Sequence, residues 1–207
     1  MIDKKVLIAK NNTLEKPGLL KGVLLEKDIP FQIVDLDKGE KFPNPRNYLA
    51  VVVLGGPDSA NDTTPKMQQE IDFVKEVLDI QLPYFGVCLG MQVLVKAAGG
   101  EVYNAPFKEI GCTNDSGEPY LIKLTEEGIK DQLFQKVPHS FYTFHLHGET
   151  VELGPDTILL GTGRDEYQIK NQVVRVGNSA YGFQGHLELT DAILMQLMQK
   201  DRDLISK

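Results

Sequence analysis

The segment Gly86-Val87-Cys88-Leu89-Gly90 sets a thiol between two glycines, where an apolar run gives way to an amphipathic one. That is the cysteine form of the strand–turn–helix elbow written Gly-x-Ser-x-Gly. A nucleophile on so sharp a turn holds a strained backbone, and side chains in place of the flanking glycines would collide with neighbouring elements. The amide end of the helix that follows carries partial positive charge and favours a thiolate. A buried packing thiol is the commoner fate of a cysteine, but the strand before, the helix after and both glycines favour the nucleophile. The other cysteine, Cys112, has no such frame and receives no role.

A thiolate nucleophile needs a base, and the base needs an orienting group. The histidines are His139, His145, His147 and His186. The segment Gly185-His186-Leu187-Glu188 follows directly on an apolar strand pattern. An extended backbone there puts His186 and Glu188 on one side, so Glu188 can hold one imidazole nitrogen while the other faces Cys88. Alone, the pair reads as a surface contact at a strand end; coupled to the elbow it reads as base and orienter. Acyl transfer also needs donors for a developing oxyanion. The amide of Leu89, just after the thiol, is one. Gly55-Gly56-Pro57 ends another apolar run and offers Gly56 as the second, with an ordinary turn as the competing reading.

The elements that must position these groups are legible in the first half. Val6 to Ala9, Phe31 to Leu36, Tyr48 to Leu54 and Tyr84 to Val87 read as strands, and their nearly unbroken apolar runs suit a parallel sheet covered on both faces. Between them lie helical patterns. Leu19, Leu20, Val23 and Leu24 follow Pro17; Met67, Ile71, Val74 and Leu78 follow a Thr64 cap and Pro65; Val93, Leu94, Ala97 and Ala98 precede Gly99-Gly100. Strand–helix alternation of this kind predicts an α/β fold, a doubly wound and mostly parallel sheet with helices on both faces. Further strands are expected at Tyr120 to Leu124, Phe141 to His145, Thr157 to Leu160, Gln168 to Val176 and Ala180 to Gln184. A last helix starting at Thr190-Asp191 turns Ile193, Leu194, Leu197 and Met198 inward. With no repeat or linker, the 207 residues read as one domain, 1–207.

Composition bounds the rest. Hydrophobic content of 42% and charged content of 25% are ordinary for a soluble globular chain, and the net charge of −7 argues against a nucleic-acid binder. No run approaches a membrane span or a secretory leader, so a reducing cytoplasm is the expected setting, where a lone thiol stays free to react. No metal-ligand spacing stands out, His145-x-His147 alone being too thin, and no cofactor is expected.

Three of these motifs together resemble one family. Gly86-Val87-Cys88-Leu89-Gly90-Met91-Gln92 is similar to the nucleophile signature of class I (triad-type) glutamine amidotransferases. Phe183-Gln184-Gly185-His186-Leu187-Glu188 resembles their distal histidine–glutamate motif, and Gly55-Gly56-Pro57 their oxyanion loop. The order along the chain agrees, whereas α/β-hydrolases place the acid before the histidine. Phe144 to Thr150 resembles a His-Gly-Asp segment of free-standing proteins related to the GMP synthase amidotransferase domain, with Glu149 in the aspartate's place.

The resemblance implies glutamine hydrolysis to glutamate and ammonia through a γ-glutamyl thioester on Cys88. It implies a substrate contact from Gln92, whose competing reading is a solvated helix residue, and a pocket position for His147, whose safer reading is a turn histidine. One departure matters. The family commonly has phenylalanine before the histidine, and Gly185 in its place is expected to loosen His186 or enlarge the pocket. Two readings therefore compete as enzymes: a glutaminase passing ammonia to an ATP-dependent synthetase on a separate chain, and a stand-alone hydrolase of γ-glutamyl amides or peptides. A non-catalytic regulatory domain is the third, and the intact Cys–His–Glu set weighs against it. No phosphate-binding Gly-x-x-x-x-Gly-Lys-Ser/Thr loop is present, so acceptor chemistry is expected elsewhere.

Overall fold

A computed structural model describes residues 4–164 and 168–200, the side chains of Met198 and Lys200 excepted, so the inward position expected for Met198 lies outside the described residues. In chain order the elements are β1 (Lys5–Lys10), α1 (Gly18–Glu26), β2 (Phe31–Asp35), β3 (Tyr48–Val53), α2 (Pro65–Asp79), β4 (Tyr84–Val87) and α3 (Leu89–Ala97). There follow β5 (Glu101–Gly111), β6 (Leu121–Leu124), α4 (Glu126–Lys130), β7 (Ser140–Tyr142), β8 (His145–Glu152), β9 (Thr157–Gly163), β10 (Asn171–Val176), β11 (Ala180–Phe183) and α5 (Asp191–Lys200).

The apolar runs of the first half lie where such runs are stable, inside a sheet. One nine-stranded sheet has the order β2-β1-β3-β4-β11-β10-β9-β6-β7. Its first five strands pair in parallel, and β10, β9, β6 and β7 continue it antiparallel. The expected α/β fold with a mixed, mostly parallel sheet is what forms. Thr64 caps α2 as anticipated, its hydroxyl accepting from the Met67 amide at 3.2 Å, and Gly99 leaves α3 at φ +84°. Met67, Ile71 and Val74 of α2 and Met91 and Leu94 of α3 are buried in one cluster with Leu7, Val51 and Val53 of the sheet. Helix α1 is looser. Leu20 and Leu24 pack against Val6, Ile8, Val52 and Leu54, while Leu19 and Val23 remain more than half exposed.

The second half departs from expectation. The strand anticipated over Phe141 to His145 is two strands, β7 and the start of β8, which belong to different sheets. The long β5 was not anticipated, nor was most of β8. These two pair only with each other, as an antiparallel ribbon. A ribbon with one face over a cavity carries charged and small residues such as Lys108, Glu109, Gly148 and Glu149, plus Pro106, so apolar alternation is missing.

Strand β11 matters most for position. It lies in parallel beside β4 with Gly182 opposite Gly86 and Phe183 opposite Val87, so both strands end at the same level. The Cys88 amide donates to the Phe183 carbonyl at 2.8 Å.

Glu70 of α2 is fully buried, with Oε1 accepting from Asn11 Nδ2 at 2.8 Å and no partner on Oε2. Burial pushes its carboxyl from 4.5 up to about 7, against the pull of the Asn11 bond and Lys66. A carboxyl whose folded pKa is raised binds its proton more tightly in the native state, so stability falls as pH rises from 4.5 through about 7. Glu70→Gln is expected to flatten that decline by about 3 kcal/mol at most, read by denaturant titration across the window. An unchanged slope would mean that Glu70 ionises freely.

Candidate active site

Cys88 stands between β4 and α3 at φ +53°, ψ −108°, a conformation that costs a non-glycine residue about 1–3 kcal/mol. The flanking glycines are required by contact. A Cβ on Gly86 would lie 2.5 Å from the Gly90 carbonyl, and one on Gly90 would lie 2.2 Å from the Val53 oxygen. Tyr84 Oη donates to the Gly90 carbonyl at 2.8 Å and ties strand to helix beneath the thiol. Sγ is approached by Gln184 Nε2 at 3.7 Å and by the Leu146 carbonyl at 3.9 Å.

Beyond β11 the chain bends instead of staying extended, yet His186 and Glu188 meet. The His186 amide donates to the Phe144 carbonyl at 2.7 Å, which fixes the turn. Nδ1 of His186 then lies 2.8 Å from Glu188 Oε1, both side chains buried. So the two residues do share a side, through the turn and not through the strand period. Burial would lower the pKa of His186, but hydrogen bonding to Cys88 and to Glu188 outweighs it and holds the imidazole well above its ordinary value. The Glu188 carbonyl accepts from the Leu19 amide at 2.8 Å, which anchors the segment on the first turn of α1.

A second acid stands close by that the sequence did not suggest. Burial pushes Glu15 up to about 7, with His186 pulling the other way, and its Oε2 has no partner. A Cβ on Gly55 would lie 3.0 Å from that oxygen, 3.3 Å from His186 Cε1 and 3.4 Å from Cys88 Cβ. Gly55 is therefore the floor on which the three side chains converge.

Gly56 and Leu89 both border a cavity of about 500 Å³ over Cys88, as do Gln92, Lys108, His147 and Glu149. A Cβ on Gly56 would come 2.6 Å from Asn11 Cβ, so this glycine is dictated by packing against the residue that follows β1. The Leu89 amide belongs to the first turn of α3, where amides lack intrahelical acceptors. Gln92 is not a solvated helix residue. It is buried, its Nε2 donating to Gln184 Oε1 at 3.2 Å, and the Gln184 amide in turn points at Sγ. Nor is His147 a turn histidine: it is buried within β8.

The expectation that Gly185 leaves a loose or enlarged pocket is overturned. A Cβ there would meet Thr143 Oγ1 at 2.6 Å, Thr143 Cβ at 2.8 Å and His145 Cε1 at 3.2 Å. The missing ring's place is filled by Thr143 and His145. His145 in turn belongs with His147 to a buried cluster around Glu109, a residue the sequence reading passed over. It comes 38 positions before His147 on the other strand of the ribbon, and only the β5–β8 pairing brings it near.

Comparison with known proteins bears on the whole arrangement. The sequence profile of the family "Glutamine amidotransferase class-I" matches residues 19–198. The glutamine amidotransferase-like protein YfeJ of Salmonella typhimurium is 29% identical over 162 residues, which cover 76% of this chain and 64% of that protein. A GMP synthase of Thermosipho melanesiensis is 29% identical over 166 residues, or 80% of this chain and 29% of the synthase. The chain thus spans under two thirds of the first relative and under a third of the second. A γ-glutamyl-L-1-hydroxyisopropylamide hydrolase of a Pseudomonas is 28% identical over 144 residues, covering 69% of this chain and 48% of that enzyme. Among solved structures, a glutamine amidotransferase of Thermotoga maritima superimposes with TM-score 0.85 at 26% identity, covering 98% of this chain and 84% of that one.

Two measurements probe the geometry. Glu188→Gln removes one of the groups that raise His186, so the titration midpoint of its ring, followed by NMR, is expected to fall by one pH unit or more. Gly90→Ala puts a Cβ into the Val53 carbonyl and is expected to cost about 3 kcal/mol or more, or to prevent folding.

Proposed function

Because this chain belongs to the glutamine amidotransferase class-I family, we propose that it hydrolyses the side-chain amide of glutamine to glutamate and ammonia, with Cys88 as nucleophile. The observation that carries this is the buried hydrogen-bonded line Glu188–His186 ending at Cys88, on the floor of a cavity. Thiolate Sγ attacks the amide carbon, and the carbonyl electrons move onto oxygen, facing the amides of Leu89 and Gly56. The His186 imidazolium gives its proton to the leaving nitrogen, the C–N bond breaks and ammonia departs, leaving a γ-glutamyl thioester. Neutral His186 then takes a proton from water, hydroxide adds to the thioester, and collapse expels the Cys88 thiolate and yields glutamate. Glu188 keeps Nδ1 protonated and Nε2 aimed at the reaction. Gln92, through Gln184, and His147 hold the substrate side of the cavity.

In this reading an ammonia-consuming, ATP-dependent synthetase would lie outside these residues. The stand-alone hydrolase of γ-glutamyl amides remains as a second reading. It is favoured by the likeness to the γ-glutamyl-L-1-hydroxyisopropylamide hydrolase of a Pseudomonas, and by a cavity within the size range of sites for ligands larger than glutamine.

The purified chain is to be incubated with glutamine and with a panel of γ-glutamyl amides and peptides, and glutamate release measured. Cys88→Ala is expected to abolish release, and Glu188→Gln to reduce it less, because the base survives with weaker orientation. Full activity in Cys88→Ala would overturn the elbow chemistry. Fast turnover of γ-glutamyl amides with indifference to glutamine would replace the first reading by the second. No turnover, with no labelling of Cys88 by an electrophilic glutamine analogue, would leave a binding domain.

A further inference from the structure

Glu109, His145 and His147 converge in the interior of the β5–β8 ribbon, and the chemistry set out above uses neither Glu109 nor His145. Glu109 Oε2 lies 2.8 Å from His147 Nε2 and 3.2 Å from His145 Nδ1, and the two nitrogens are 3.2 Å apart. All three side chains are essentially inaccessible to solvent.

Hydrogen positions decide what these atoms offer. His147 Nδ1 lies 3.0 Å from the Glu149 carbonyl, which can only accept, so Nδ1 carries a proton and Nε2 is left to face the cluster. His145 Nε2 lies 2.7 Å from Thr143 Oγ1, leaving Nδ1 to the cluster. Oε1 of Glu109 accepts from the Ile169 amide at 2.7 Å, and Oε2 also accepts from Gln172 Nε2 at 2.9 Å. Filling the cluster with protons alone would send three N–H groups, from His145, His147 and Gln172, to a single carboxylate oxygen with room for about two. It would also leave a buried imidazolium. One divalent cation shared by the three atoms removes both difficulties.

We propose that Glu109, His145 and His147 bind one divalent transition-metal ion, zinc by the character of the donors. Two imidazole nitrogens and a carboxylate oxygen are a three-ligand zinc set. An ion at zinc distances of about 2.0–2.1 Å from all three sits about 1 Å out of their plane, leaving a fourth position for water. The partners beyond the ligands are those that such sites carry. Each histidine's second nitrogen is held, by the Glu149 carbonyl and by Thr143, and both carboxylate oxygens receive further donors. The glycine at 185 enters here too, since any side chain there would displace Thr143 and His145. The ion would tie β5 to β8 next to Leu146, whose carbonyl faces Sγ of Cys88. It is a clasp for the cavity wall, independent of which amide is cleaved.

The test uses the whole chain stripped by chelator and titrated with Co²⁺ and then Zn²⁺, in the wild type and in a Cys88→Ala/Cys112→Ser background. The expected result is one ion per chain, a cobalt visible spectrum without thiolate charge-transfer absorption in both proteins, and thermal stabilisation by zinc. Glu109→Gln and His145→Gln are expected to weaken binding at least 100-fold. A folded wild type with no cobalt spectrum and no thermal shift in excess zinc would overturn the proposal. So would metal binding that disappears with the cysteines. Because the wild type decides the matter, variants that fail to fold do not rescue it.

Discussion

The backbone contact between Gly90 and the Val53 carbonyl is the constraint from which the rest follows. It sets α3 against β3 and β4 so closely that no side chain fits between them, and Cys88 must then take a positive φ to join strand to helix. A strained residue of this kind persists only where its surroundings over-determine it. Tyr84 below, the Phe183 carbonyl on the Cys88 amide and the Gly86–Gly90 approach supply that determination. The parallel pairing of β11 with β4 does the complementary work. It delivers the His186 segment to the same sheet end as the thiol, although nearly 100 residues separate them along the chain.

Sequence patterns recover the parts whose physics is local. The strands β1 to β4, the capped α2 and the elbow are written in short apolar runs, a threonine cap and two glycines, and each forms as those residues dictate. His186 and Glu188 were also legible, although the reason given for their meeting, an extended strand, yields to a turn pinned by Phe144. The parts that escaped depend on long-range pairing. Nothing near Glu109 announces that β5 will lie across β8. Nothing near Glu15 announces that a loop after β1 will bury a carboxyl beside His186. Gly185 misled for the same reason. Its meaning lies in Thr143 and His145, which reach it only in the folded chain.

Charge around His186 is arranged on two levels. Glu188 forms a direct bond with Nδ1, whereas Glu15 faces the ring without a partner on Oε2 and titrates near neutrality. Lys10 and Lys66 lie close enough to pull Glu15 down, and Glu188 pushes it up. The imidazole thus sits between one firmly oriented carboxylate and one acid whose charge changes in the physiological range.

The β5–β8 ribbon shares no hydrogen-bonded ladder with the nine-stranded sheet, yet it forms one side of the cavity. The cavity is thereby bordered by two separately paired parts of the chain. Cys88, His186 and Glu188 are held where β4 and β11 end in the large sheet, and a one-residue change of register there would separate them. Asn104, Lys108 and Glu149 stand on a two-stranded appendage whose side chains can be exchanged without shifting any of those strands. The wall of the cavity can thus vary along the ribbon while the register that brings Cys88 and His186 together stays as it is.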